Sequence, residues 1–154
     1  MVLDGAGAVE ELLRDNWDSD NTDSKTPVVN KVLEVKEVSI ATKDRILTYL
    51  TNRNSRFNGI GSRNFKIDIM VTIDLRSSYK PNKDKTLSTL STVTGNVHLL
   101  KMVEEVERII KLKADAPGGG FQVIMPDGNA IDLSDKFKNL YRHTYEVMLK
   151  QTNY

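Results

Sequence analysis

The sequence predicts an α+β domain in which an antiparallel sheet, built on one long central strand, is covered on one face by two helices. Three observations lead there. First, residues 65–76 alternate: Phe65, Ile67, Ile69, Val71, Ile73 and Leu75 fall on one side, and Lys66, Asp68, Thr72, Asp74 and Arg76 on the other, with Met70 alone breaking the polar series. At about 3.3 Å per residue such a strand spans ~40 Å, about twice the ordinary length, and a polar second face, expected to be wet, suits an antiparallel sheet covered on one side by helix. Second, Leu99, Met102, Val103, Val106, Ile109 and Ile110 recur at helical spacing within residues 96–113. Third, a chain of 154 residues with 39% hydrophobic and 28% charged side chains has the size and composition of one globular domain, 1–154.

Taken in order, Val9, Leu12, Leu13 and Trp17 predict a short amphipathic helix over residues 7–17, with Trp17 as a core anchor. Asp18 to Ser24 is a run of polar turn-formers, closed by Pro27. Residues 28–41 fit neither period and read as an extended segment with at most an edge strand. Residues 45–51, rich in β-branched and aromatic types, make an interior strand that pairs with the long one.

Residues 52–64 read as a long hairpin loop. Gly59 and Gly61 do not make a phosphate cradle, because the third glycine of a dinucleotide fingerprint and the lysine of a P-loop are both missing and a strand follows. A second irregular stretch covers residues 77–94. The helix over 96–113 carries Glu104 with Arg108 and Glu107 with Lys111 as i,i+4 pairs, and the glycines at 118–120 stop it. Residues 121–125 read as a strand, 126–129 as a tight turn and 130–133 as a return strand, together a small hairpin. Residues 137–150 satisfy both periods, and their Tyr, Thr and Val content leans towards strand.

No catalytic constellation can be assembled. The chain has no cysteine, which removes disulfides, thiolate nucleophiles and zinc–cysteine sites and fits a cytosolic or intravirion setting. Of the two histidines, His98 and His143, the first has no partner at ligand spacing. Asp68 and Asp74 share a strand face but stand about 20 Å apart, too far to work as an acid–base pair. The expectation is a protein that is not an enzyme and needs no cofactor or metal. The acidic N-terminus lacks the regions of a signal peptide, and no apolar run could span a bilayer, so a soluble, unsecreted protein is expected.

The net charge of +1 is uninformative, but its distribution is not. Residues 1–24 hold seven acids against Arg14, a balance of −6. Residues 52–85 hold eight bases against three acids, a balance of +5.

Several segments carry a family resemblance through their order: Leu12-Leu13-Arg14-Asp15-Asn16-Trp17 with Asn21-Thr22-Asp23 and Thr26-Pro27; Asp44-Arg45-Ile46-Leu47-Thr48-Tyr49; Val71-Thr72-Ile73-Asp74-Leu75-Arg76; Met102 to Ile110; then Asp132-Leu133-Ser134-Asp135-Lys136, Tyr141-Arg142 and Glu146-Val147. In this arrangement the chain resembles the tail-completion or tail-terminator proteins of tailed bacterial and archaeal viruses, small components of the neck. The resemblance implies a structural virion protein, assembled in the host cytoplasm into a homo-oligomeric ring at the head–tail junction. Its partners would be neighbouring neck and tail-tube proteins, with at most a passing contact with DNA and none with a membrane. It also implies that residues 141–149 form a strand.

A ring needs two different surfaces per protomer. The acidic N-terminal region and the basic stretch supply opposite signs, which makes Arg53, Arg56, Arg63, Lys80, Lys83 and Lys85 the candidate oligomer interface, with loops 52–64 and 77–94 expected to become ordered only against neighbours. The alternative is a nucleic-acid-binding module that uses the basic stretch 53–85 as a phosphate-binding patch.

Overall fold

Helix α1 (Gly5–Asn16) starts earlier than its apolar spacing predicts because Asp4 caps it: the Gly7 N–H donates to Asp4 Oδ1 at 2.9 Å. Leu3, Ala6, Val9, Leu12, Leu13 and Trp17 are buried beneath it, so the tryptophan is the core anchor expected. In the computed structural model, residues 3–17, 27–33, 45–78, 95–128, 130–134 and 140–154 are described.

The remaining elements are strands β1 (Val28–Lys31), β2 (Arg45–Phe57) and β3 (Phe65–Ser78), helix α2 (Gly95–Leu112), and strands β4 (Val123–Pro126), β5 (Ile131–Asp132) and β6 (Leu140–Gln151). They form one six-stranded sheet in the order β1-β2-β3-β6-β4, with β5 pairing β6 beside the part of that strand that β4 does not reach. Only β1 with β2 is parallel; every other pairing is antiparallel. The predicted α+β class, with its long central strand and both helices on one face, is the observed one.

The apolar row of β3 makes the floor of the core. Ile67, Ile69, Val71, Ile73 and Leu75 are buried with Ile46 on one side and Tyr145, Val147 and Leu149 on the other. From above, α2 contributes Leu99, Met102, Val103, Val106, Ile109 and Ile110, the face its periodicity marks out. Gly5 permits the closest approach of α1 to the sheet: a Cβ there would lie 2.6 Å from Ile69 Cγ2 and 3.1 Å from Val71 Cγ2. Thr48, with no exposed surface, donates to the Ala6 carbonyl at 2.9 Å and ties β2 to the same helix.

Four expectations need correction. Residues 52–57 are not loop but the distal half of β2, paired with β3 through Phe57↔Phe65, so the connection shrinks to 58–64; a bulge between Leu50 and Asn52 marks where the strand leaves the body. Residues 121–133 are not a hairpin, since β4 and β5 each pair with β6. Arg108 turns to Glu105 at 2.6 Å instead of Glu104, because Glu105 is the buried acid, and its guanidinium also donates to the Asn16 carbonyl at the end of α1 at 2.7 Å. The polar face of β3 is not wet: Thr72, Asp74 and Arg76 are buried. Residues 140–151 are a strand, as the Tyr, Thr and Val content suggested. The expectation for loop 77–94 falls, beyond Ser78, outside the described residues.

Candidate functional site

The distal half of β2 owes nothing to side-chain burial. Every residue from Leu50 to Phe57 is exposed, and what holds the segment is its ladder with β3. Together the two strands form an arm that ends in a stacked pair, Phe57 and Phe65, with ring centroids 4.9 Å apart. Ile60 is fully exposed in the connecting turn, and Phe57 is 62% exposed. Arg53 lies 6.0 Å from the centroid of the Tyr154 ring, a cation–π contact at the base of the arm.

One side of this arm has no strand against it. The Asn58 N–H donates to the Asn64 carbonyl at 2.8 Å, which fixes the alternation: residues 52, 54 and 56 turn their backbone groups to β3, whereas Arg53, Ser55 and Phe57 turn theirs outward. β1 pairs only with Arg45 to Thr48, so among the described residues nothing meets those outward N–H and C=O groups. The outer edges of β1 and β4 are met by hydrogen bonds. On β1, the Lys31 N–H donates to the Glu10 carboxylate and the Val29 carbonyl accepts from Arg14 at 3.1 Å. On β4, the Ile124 N–H donates to the Ala114 carbonyl at 3.0 Å. Edge strands are ordinarily blunted in this manner, and the stretch through Arg53, Ser55 and Phe57 is not.

Of the candidate interface residues, Arg53, Arg56 and Arg63 are all exposed on the arm or its turn. Arg56 reaches only 4.0 Å from Asp68 with 60% of its side chain exposed, a weak surface pair. Lys80, Lys83 and Lys85 lie outside the described residues. The acidic partner surface is narrower than composition implies. Asp4 is engaged by Lys31 and Glu10 by Arg14, which leaves Glu11 and Asp15 as the free exposed acids of α1.

A second polar feature lies on the sheet face opposite the helices, and sequence reading passed over it. Asp74 has no exposed surface and is held by two guanidiniums: Arg76 from its own strand (Nη2 to Oδ2 3.0 Å) and Arg142 from β6 (Nη2 to Oδ2 2.8 Å, Nε to Oδ1 3.0 Å). Hydrogen bonding to Asp74 raises the pKa of Arg142 above the usual arginine value, and burial, with the neighbouring Asp74 charge, raises that of the Tyr49 phenol. The available signal was Asp74-x-Arg76, since an i,i+2 acid–base pair shares one strand face.

A groove of about 580 Å³ runs between α2 and β4, with Ile110, Ala114 and Ile124 in it and Glu104, Glu107 and Lys111 among its charged residues. No group of three metal-ligating side chains occurs among the described residues. His143 is buried, with Nε2 3.6 Å from Asp132 and neither ring nitrogen hydrogen-bonded. No helix among the described residues is long and apolar enough to cross a membrane. No family model and no curated protein matches the chain.

Proposed function

We propose that the chain is a structural, non-catalytic subunit that closes into a ring at the head–tail junction of a tailed virus, as a tail-completion or tail-terminator protein. The viral assignment rests on the ordered sequence resemblance. The observation that supports ring assembly is the open edge of β2: three residues of outward backbone, in contrast to the covered edges of β1 and β4, at the foot of an exposed aromatic tip. Strand addition satisfies such an edge with main-chain hydrogen bonds. Pairing the edge with its own copy in the register that sets Arg53 opposite Arg53 would bring like charges face to face, which is destabilising. In a ring the neighbour would present a different surface to this edge, the heterologous contact that closure requires. Neighbouring neck and tail-tube proteins are the partners above and below.

Negative-stain microscopy of the purified protein and of purified tails tests this reading. Rings, together with the protein at the tail end of virions, support it; a monomer absent from virions overturns it.

The stacked Phe57 and Phe65 beside Arg53, Arg56 and Arg63 favour a second reading, a nucleic-acid-binding module, because aromatic faces and arginines are what single strands stack on. That reading requires salt-dependent binding of an oligonucleotide, abolished when Arg53, Arg56 and Arg63 are changed to Ala.

A further inference from the structure

Three arginines stand in one row across the sheet. Arg45 on β2 is directly opposite Arg76 on β3, which is directly opposite Arg142 on β6. All three belong to the face that the helices do not cover, and at about 4.8 Å per strand the row is ~10 Å long. Facing like charges on adjacent strands destabilise a sheet, and a guanidinium cannot relieve the strain by losing its proton.

Among the described residues a single carboxylate faces this row. Asp74 divides its two oxygens between Arg76 and Arg142. Arg45 receives nothing: its Nε is buried without an acceptor, and it has no ion pair among the described residues. The next acid on the same face, Glu146, stands opposite Thr72, four residues along β6 from Arg142 or about 13 Å by strand rise. Counted over the described residues, three arginines less one aspartate give the cluster a net charge of +2.

We propose that this row is a binding site for a doubly charged oxyanion, namely a phosphate group arriving as the free ion or as a phosphomonoester. A dianion cancels the excess charge where a carboxylate leaves half of it. Guanidinium forks match tetrahedral oxyanions through paired, charge-assisted hydrogen bonds. Arg76 is buried and forms the floor, while Arg45 is half-buried and Arg142 keeps 22% of its side chain exposed, so the anion sits between these two and meets the Arg45 guanidinium. Tyr49, whose hydroxyl donates to Asp74 at 3.5 Å, and Thr144, which carries a second hydroxyl, flank the row on the same face. The site is independent of assembly and stands whether or not the ring reading does.

The test is thermal unfolding and calorimetric titration of the full chain with inorganic phosphate and, separately, a nucleoside monophosphate, each against chloride at matched ionic strength. The site predicts a saturable rise in Tm with phosphate and none with chloride, and tighter binding of the monophosphate identifies an esterified ligand. Arg45→Gln, which removes an unpaired charge, unfolds at no lower temperature than the parent without phosphate and binds phosphate at least about tenfold more weakly. In the unaltered chain the Arg45 Nε–H resonance shifts during the titration, a readout that needs no variant. A Tm response equal for phosphate and chloride, an unmoved Arg45 resonance, or full affinity retained in Arg45→Gln overturns the proposal.

Discussion

Arg142 reaches back one step of register from its position opposite Arg76 to grip Asp74, a carboxylate with no exposed surface, at 2.8 Å. The pair joins β6 to β3 on the face that the helices leave uncovered. Removing one member of such a pair leaves the other charge buried and uncompensated, which is far costlier than the pair's net contribution. Asp74→Asn preserves shape and removes the charge, and two guanidiniums then face each other across the strands. Urea unfolding is expected to report a loss of about 3–5 kcal/mol. A loss below about 1 kcal/mol, the scale of a surface pair, contradicts this account of the face.

Asp4 carries the start of α1, and its acid dependence has a definite sign. Burial raises its pKa, but hydrogen bonds from Lys31 and the Gly7 N–H, with the Lys31 charge, outweigh that and lower it from 3.8. A depressed folded pKa gives stability that is fully present above the unfolded value and is lost as pH falls through the folded one. Asp4→Ala is expected to cost about 1 kcal/mol at neutral pH, the worth of an N-cap. Chemical unfolding of parent and variant at a series of pH values should show that difference shrinking in acid, below pH 3.8. A difference that persists unchanged into strong acid contradicts the carboxylate's role.

Gly5 sits where helix and sheet approach most closely. An alanine methyl there would press on Ile69 at 2.6 Å and Leu149 at 3.3 Å, both fully interior side chains. Gly5→Ala ordinarily favours a helix, yet here overpacking is expected to destabilise by about 1–3 kcal/mol. A Tm equal to or above the parent's would mean that α1 lies farther from the sheet.

The fold was legible wherever burial writes a period into the sequence. β3 and α2 each have one face against the core, and their apolar residues appear at two-residue and helical spacing. The arm was not legible, because Thr51 to Arg56 is exposed on both faces and carries no burial pattern to read. Its strand conformation comes from pairing with Phe65 to Met70, a non-local cause. Asp74 was read as a solvated residue of a polar face because alternation reports only which side a residue occupies. Arg142, which grips it, is distant in sequence. The hairpin expected over residues 121–133 failed for a similar reason: turn residues at 126–129 signal reversal, but the long strand β6 offers each short strand a better partner than they offer each other.

Charge on the arm is a separate lever from its backbone. Arg53, Arg56 and Arg63 lie outside the core, so changing all three to Glu should leave the unfolding midpoint within about 1 kcal/mol of the parent and impair assembly. Sedimentation at low and at physiological salt separates the two effects. If the triple variant assembles as the parent does at physiological salt, the arginines do not pair with an acidic neighbour.

The central claim, that the open edge of β2 is the assembly contact, is tested most directly by Ser55→Pro. The Ser55 N–H points away from β3, so proline costs the arm no hydrogen bond of its own while it blocks strand addition from outside. Light scattering coupled to size exclusion should find the parent as a closed oligomer and Ser55→Pro as a monomer with an unchanged circular-dichroism spectrum. A parent that is monomeric in the absence of its neighbours, or a Ser55→Pro variant that assembles as the parent does, contradicts the claim.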